Sequence, residues 1–213
     1  LSPEGLVTEK ELKEAFENTM VYYDRKGDRH YDTISAFIKS IRGSDPDAAL
    51  YYMAKMILAG EDPEFIARRM VILASEDIGN ASPNALGVAV SAMTAVQNIG
   101  MPESELILSQ CAIFLASSPK SNASCVAISS AKSAALSGDY EIPMHIRNAP
   151  TGLMKRMGYG RDYRYPHNYD GNFVNEKYLP DELHGACFYN PTENGSEKAI
   201  RERLMKLWPG RYS

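Results

Sequence analysis

An all-α fold is expected here: an antiparallel stack of helices, a long irregular arm and a closing helix. Three features of the 213-residue sequence lead to it. From Gly79 to Ala134 only Glu103, Glu105, Lys120 and Lys132 are charged, and the rest is largely alanine, serine and aliphatic. Between Pro46 and Pro119 prolines recur every 17 to 20 residues, each at a helix start. Past Gly138 the composition turns to Pro, Gly, Asn and Tyr, and residues 139–194 carry seven of the 13 tyrosines.

Thr8 to Met20 reads as the first helix. Thr8 is a fair N-cap with Glu11 three residues on, and Leu12, Ala15, Phe16 and Thr19 form an apolar stripe. The charged, glycine-containing segment Tyr22 to Asp28 breaks the pattern and reads as a hinge. Five helices are expected from Tyr31 onward, punctuated by Asp45-Pro46, Asp62-Pro63, Ser82-Pro83, Met101-Pro102 and Ser118-Pro119. Proline suits a first helical turn because its missing N–H has no partner there, and the Asp or Ser before it can cap. The spacing leaves room for helices of about four turns with short connections.

The uncharged stretch is the centre of this organisation. Ala85, Ala89, Ala92 and Val96 share one helical face, and Ile107, Cys111 and Phe114 share another. A helix without a charged face is buried all round, at the middle of a bundle or against another subunit. These seven residues are therefore candidate oligomer-interface positions. Arg68, Arg69, Glu76 and Asp77 join them. Acidic groups at a helix end oppose its dipole, and Arg68 or Arg69 from another helix or subunit would pair with them.

Residues 139–194 form the arm. Only Thr151 to Met157 and Pro180 to Leu183 look helical in it, and its aromatics favour burial over disorder. Gly195 to Leu207 closes the chain as a helix striped by Ile200, Leu204 and Leu207.

Composition excludes several classes. With 44% hydrophobic and 23% charged residues the chain is ordinary for a globular protein. At this size it buries roughly 70% of its unfolded surface and needs no staple. Three cysteines (Cys111, Cys125, Cys187) without paired spacing fit a reducing, cytoplasmic compartment. No secretory signal is read, and the longest aliphatic run, Met70 to Ala74, is far too short to span a membrane. An opening Leu1 rather than methionine is expected of a shortened form of a longer protein.

The net charge of −4 argues against a general nucleic-acid binder. Residues 1–138 carry 12 basic and 17 acidic side chains, and residues 139–213 carry 11 and 10. The window from His145 to Tyr165 holds five basic residues and one acidic. There Arg147, Lys155, Arg156, Arg161 and Arg164 interleave with Tyr159, Tyr163 and Tyr165. Cations for phosphates beside aromatics for stacking make Arg147, Lys155, Arg156, Tyr159, Arg161, Tyr163 and Arg164 candidate DNA-binding residues. The bland alternative packs the tyrosines on the helices and leaves the cations merely solvated.

No phosphate-binding G-x-x-x-x-G-K-[ST] loop, H-E-x-x-H, C-x-x-C or G-x-S-x-G is present. No catalytic, cofactor or metal residue is assigned. His184 with Cys187 is too thin a pair for a zinc site, and nothing in the sequence activates it as a nucleophile.

Several motifs stand in one order. They are Tyr31-Asp32-x-Ile34-Ser35-Ala36, Lys39-Ser40-Ile41-Arg42-Gly43-Ser44-Asp45-Pro46, Ala67-Arg68-Arg69, Ala74-Ser75-Glu76-Asp77-Ile78-Gly79, Pro119-Lys120-Ser121-Asn122-Ala123, Arg147-Asn148-Ala149-Pro150, Gly158-Tyr159-Gly160 and Tyr165-Pro166-His167. Together they resemble the C-terminal part of the MgsA/RarA replication-associated recombination AAA+ ATPases, relatives of the Werner-helicase-interacting protein. The resemblance implies a fold like the clamp-loader collar and assembly into a homotetramer. It implies a role at stalled replication forks, with DNA (single-stranded or ends) and single-stranded-DNA-binding protein as partners and a cytoplasmic, nucleoid-associated location. It divides the chain into a remnant of the AAA+ lid helix over residues 1–24, a helical oligomerisation core over 25–138, and the arm with its closing helix over 139–213. Without Walker A and B segments the chain is expected to be no enzyme by itself. ATP and Mg would belong to the ATPase domain of full-length relatives.

Overall fold

A computed structural model describes Lys10 and residues 28–212. The helix read at Thr8–Met20, the lid remnant over 1–24 and most of the hinge at Tyr22–Asp28 lie outside the described residues. Eight α-helices and no strand are found among the described residues: α1 (Asp28–Arg42), α2 (Pro46–Leu58), α3 (Pro63–Leu73), α4 (Asn84–Ile99), α5 (Ser104–Ser117), α6 (Ala123–Leu136), α7 (Gly152–Arg156) and α8 (Glu197–Leu207). The all-α expectation is what the structure shows. The chain divides into two compact units between Asn122 and Ala123, earlier than the compositional change at Gly138.

The proline rhythm acts in two ways. Pro46 and Pro63 occupy first helical turns, with Asp45 and Asp62 accepting from the Ala48 and Glu64 amides at 2.9 Å. Pro83, Pro102 and Pro119 instead precede their helices, and neither Ser82 nor Ser118 caps as expected. Ser118 donates backward to the Phe114 carbonyl at 2.7 Å, closing the end of α5. After α3 the backbone widens into a π-turn (Ala74–Ile78), which Gly79 ends at φ 49, a conformation other residues adopt only with strain.

In the first unit α5 packs against α1, α2, α3 and α4, so a helix with a single charge, Glu105, is the central one. Its Leu108, Cys111, Ala112, Leu115 and Ala116 meet Phe37 and Ile41 of α1, Met56 of α2, and Ile66, Met70 and Leu73 of α3 in one core. Ala85 and Ala89 let α4 lie close to α3 and α5.

The second unit is built differently. α6 buries only Ala123. The arm runs through short 3-10 turns (Met144–Ile146, Pro166–Asn168, Asp170–Asn172, Asp181–Leu183) and the single turn and a half of α7, capped by Thr151. Near its end Trp208 meets Phe173 and Tyr178 edge-on, at 5.2 and 6.2 Å, and the Arg211 guanidinium lies 4.4 Å from its ring. Glu197, the first residue of α8, is fully buried. It accepts from Tyr189 Oη (3.0 Å), the Thr192 amide (2.8 Å) and Thr192 Oγ1 (2.7 Å).

Candidate functional site

Two surfaces carry the candidate residues, one in each unit. In the first, Ala85, Ala89, Ala92, Val96 and Cys111 are each no more than 8% exposed, and Ile107 and Phe114 are half-buried on the same core. Within the unit this face of small residues brings α4 close to its neighbours, so Ala85, Ala89 and Val96 are covered by the unit's own core. The same helices leave apolar groups uncovered on their other sides. Leu86 (45% exposed) and Val90 (41%) stand one turn apart on α4, and Leu106 (71%) and Ile113 (42%) two turns apart on α5. In the second unit, taken by itself, α6 leaves Val126 and Ile128 more than half exposed, with Lys132 its one charge. Between α4 and α5 runs an open groove of about 660 Å³ whose walls include Gly87, Val88, Ser91, Ala95, Ile107 and Gln110, none of them charged.

The charged candidates are also rearranged. Arg68 pairs with Asp62 (3.1 Å) and Glu64 (3.6 Å), both near the start of its own helix. Arg69 is half-buried with its Nε unpaired among the described residues. Glu76 and Asp77 fall in the π-turn, where Arg42 Nε donates to Asp77 Oδ1 at 2.6 Å and the same guanidinium is 3.6 Å from Glu76. The expected partners, Arg68 and Arg69, are thus replaced within the unit by Arg42. The hydrogen bond it donates to Asp77 holds the Arg42 guanidinium above its usual range. Close by, Lys120 Nζ donates to the carbonyls of Leu115, Ala116 and Ser118 at 3.0, 2.8 and 2.6 Å, capping α5. Burial lowers its pKa, and the Asp77 charge opposes that shift.

In the second unit the seven DNA-binding candidates separate into two roles. Arg147 builds the arm: it pairs with Glu141 at 2.8 Å, donates to the Ile142 carbonyl at 2.5 Å and lies 5.4 Å from the Tyr159 ring centre. These contacts, Glu141 first, hold its guanidinium above the usual range. Arg164 likewise pairs with Glu176 at 2.6 Å and donates to the Asn175 carbonyl at 3.2 Å. Gly160 closes the turn at φ 70, and a side-chain carbon there would stand 3.1 Å from the Arg147 carbonyl oxygen. Lys155, Arg156 and Arg161 are exposed and form no ion pair to a described residue. Lys155 and Arg161 line one groove of about 750 Å³ with Arg147, Tyr159, Tyr163 and Tyr178. Arg156 and Arg164 are not among its lining residues, so the structure brings five of the seven named residues to this groove.

The Cys187 thiol hydrogen-bonds the Tyr189 carbonyl (3.5 Å) and Asn190 Oδ1 (3.3 Å) rather than His184. No group of three metal-ligating side chains occurs among the described residues, and no helix there is long and apolar enough to cross a membrane. Sequence reasoning missed Arg42, Lys120 and Glu197. An acid in a first helical turn is a readable sign, but Ser196 before Glu197 looks like the ordinary cap and hides it.

The first unit is helical and the second largely an irregular arm, and the sequence holds no G-x-x-x-x-G-K-[ST] loop. Comparison with known proteins agrees: residues 43–208 match the family model described as MgsA AAA+ ATPase C terminal, and residues 2–42 one described as AAA C-terminal domain. The chain belongs to the MgsA family of AAA+ ATPases, in its C-terminal region. Replication-associated recombination protein A of Escherichia coli is 48% identical over 87% of this chain. An uncharacterised AAA domain-containing protein of Mycobacterium tuberculosis is 47% identical over 95%. The ATPase WRNIP1 of Dictyostelium discoideum is 41% identical over 86%. The chain spans 42%, 45% and 21% of these relatives respectively. Both matched regions are C-terminal, and the ATP site is not among these 213 residues.

Proposed function

We propose that this chain is the self-assembly segment of a replication-associated recombination ATPase, forming a homotetramer that arranges the ATPase modules on DNA. The observation that carries this reading is the set of uncovered apolar side chains on α4 and α5 of the first unit: Leu86, Val90, Leu106 and Ile113. Fully burying one such side chain is worth roughly 1.5–3 kcal/mol, and association costs on the order of 4–15 kcal/mol in lost freedom. A single exposed leucine would mean nothing, whereas four such side chains on two neighbouring helices that carry one charge between them, Glu105, support a stable contact with a second copy. The collar-like arrangement, the lid remnant over 1–24, the oligomerisation core over 25–138 and the arm over 139–213 belong to this proposal. So do ATP and Mg in the remaining part of the full-length protein, single-stranded-DNA-binding protein as partner, and a cytoplasmic, nucleoid-associated location. Light scattering on a sizing column tests it. The unmutated chain should run as a tetramer, and Leu86→Asp with Val90→Asp should dissociate it. Ala89→Glu would be uninformative, because that residue is in the core. A monomer at every concentration would overturn the reading.

A second reading has its own support in the arm, where Lys155 and Arg161, which pair with no carboxylate among the described residues, line one groove with Tyr159 and Tyr163. Phosphates on the two cations and bases on the rings would hold single-stranded DNA or a DNA end. Lys155→Glu with Arg161→Glu should weaken binding at least tenfold and, by removing two phosphate contacts, flatten the salt dependence by about 0.7 per contact. No binding by the unmutated chain at moderate salt would end this reading.

A further inference from the structure

Asp77 is bound at two points that matter for the layout of the chain. Its side chain, 10% exposed, accepts from Arg42 Nε at 2.6 Å. Its backbone carbonyl accepts from the Ser121 amide at 2.8 Å. Arg42 is the last residue of α1 and the last residue matched by the AAA C-terminal domain model, and Gly43 opens the MgsA match. Ser121 stands just before the division between the two compact units at Asn122. A second tie runs beside the first, since Lys120 Nζ donates to Ser44 Oγ at 3.0 Å. Residues 42–44 and 120–121, at the two junctions of the chain, are thus fastened to one another twice, once through the π-turn and once directly. Such widened turns recur at functional sites.

The node has the parts of a two-position device. Arg42 is 46% exposed, so it can leave, and Glu76 offers its guanidinium an outer carboxylate 3.6 Å away and 48% exposed. Asp77 cannot follow it into solvent without moving the turn. Its Oδ2 is already buried and without a donor among the described residues. Removing Arg42 from Oδ1 would leave both oxygens unpaired, a situation that buried carboxylates do not keep. Relief comes from rotating the turn outward, and the carbonyl that holds the Ser121 amide moves with it.

We propose that the Arg42–Asp77–Ser121 node couples the two junctions: displacement of the α1 end releases the segment ahead of the second unit, and docking of Arg42 on Asp77 locks it. The coupling goes beyond self-assembly and regulates the chain from its N-terminal side.

Amide exchange of the 213-residue chain, read residue by residue, tests the coupling. Arg42→Gln should speed exchange at the Ser121 amide about tenfold, while Glu76→Gln leaves it within about twofold. Exchange at Met70, fully buried on α3, should stay unchanged in both and so separates coupling from general loosening. Should Arg42→Gln loosen Met70 as well, Arg42→Lys supplies the reading instead, with a smaller rise at Ser121 expected. Unchanged exchange at Ser121 in the variant that keeps Met70 protected would overturn the proposal. Light scattering on the same samples keeps this result distinct from the fate of the assembly reading.

Discussion

The two units of this chain solve the problem of holding a fold together by different means. The first surrounds one central helix with four others and buries Phe37, Ile41, Met56, Ile66, Met70, Leu73, Leu108 and Leu115 almost completely. In the second, Ala123, Val174 and Pro191 are the only buried apolar side chains among the described residues. Its order rests on directional contacts: Glu197 with Tyr189 and Thr192, Arg147 with Glu141 and the Ile142 carbonyl, Arg164 with Glu176. Burial is non-directional and roughly additive in area, so the first unit tolerates like-for-like exchange of its apolar groups. A hydrogen-bonded network fails when one member is removed, because the partners left behind are desolvated and unpaired.

The largest expected effect separates the units directly. Phe37→Ala should destabilise the first unit by about 3–5 kcal/mol, the loss typical of a fully buried phenylalanine. Leu204→Ala, on the half-buried stripe of α8, removes a side chain that still meets solvent, and should cost less than about 2 kcal/mol. Denaturant unfolding followed by exchange at amides in each unit measures both. Equal losses would erase the contrast.

How far the sequence reveals this arrangement depends on the same contrast. Helix positions in the first unit follow from proline spacing and uncharged periodicity, which are local signals of burial. Which uncharged face turns inward is not local. Ala85 and Leu86 are adjacent, and only the crossing of α4 with α3 and α5 decides that the alanine is buried and the leucine 45% exposed. The pairing of Arg42 with Asp77 joins residues 35 apart, and no spacing rule points to it. In the arm, Thr151 announces α7 as a cap should, and the cluster of cations and tyrosines is visible at once. The division of labour among them is invisible, because it depends on where Glu141 and Glu176 come to lie. Every arginine reads alike until its carboxylate is placed.

A middle-sized effect probes the directional side of the comparison. Glu197→Ala strips three donors of this acceptor at a buried position: Tyr189 Oη and the Thr192 amide and hydroxyl. The expected loss is about 2–3 kcal/mol. Glu197→Gln keeps the shape and one acceptor oxygen, so it should recover part of this. If the two variants are equally stable, the network contributes packing rather than hydrogen bonding, and the second unit resembles the first more than its contacts indicate. Thermal unfolding of the three chains decides it.

The smallest effect isolates one buried group in the first unit. Burial pushes the Cys111 thiol up from 9.0 to about 12. A raised value means that the folded chain keeps a proton which the unfolded chain releases above pH 9. The associated stability is complete below pH 9 and is lost as the pH rises towards 12, by at most about 1.4 kcal/mol per pH unit. Cys111→Ala should lower stability at neutral pH by about 1 kcal/mol through its small cavity, yet remove this alkaline slope. Lys120, whose lowered value gives a slope of opposite sign up to 10.5, is present in both chains and cancels in the difference. Urea unfolding at intervals from pH 8 to pH 11 should therefore show the two stabilities converging as the pH rises. Parallel curves would mean that water reaches Cys111 before the unit opens, and that the core around α5 is looser than its contacts imply. Thiol labelling gives an independent view. Exposed Cys125 of the second unit should react at once, and Cys111 only at the rate at which the first unit unfolds.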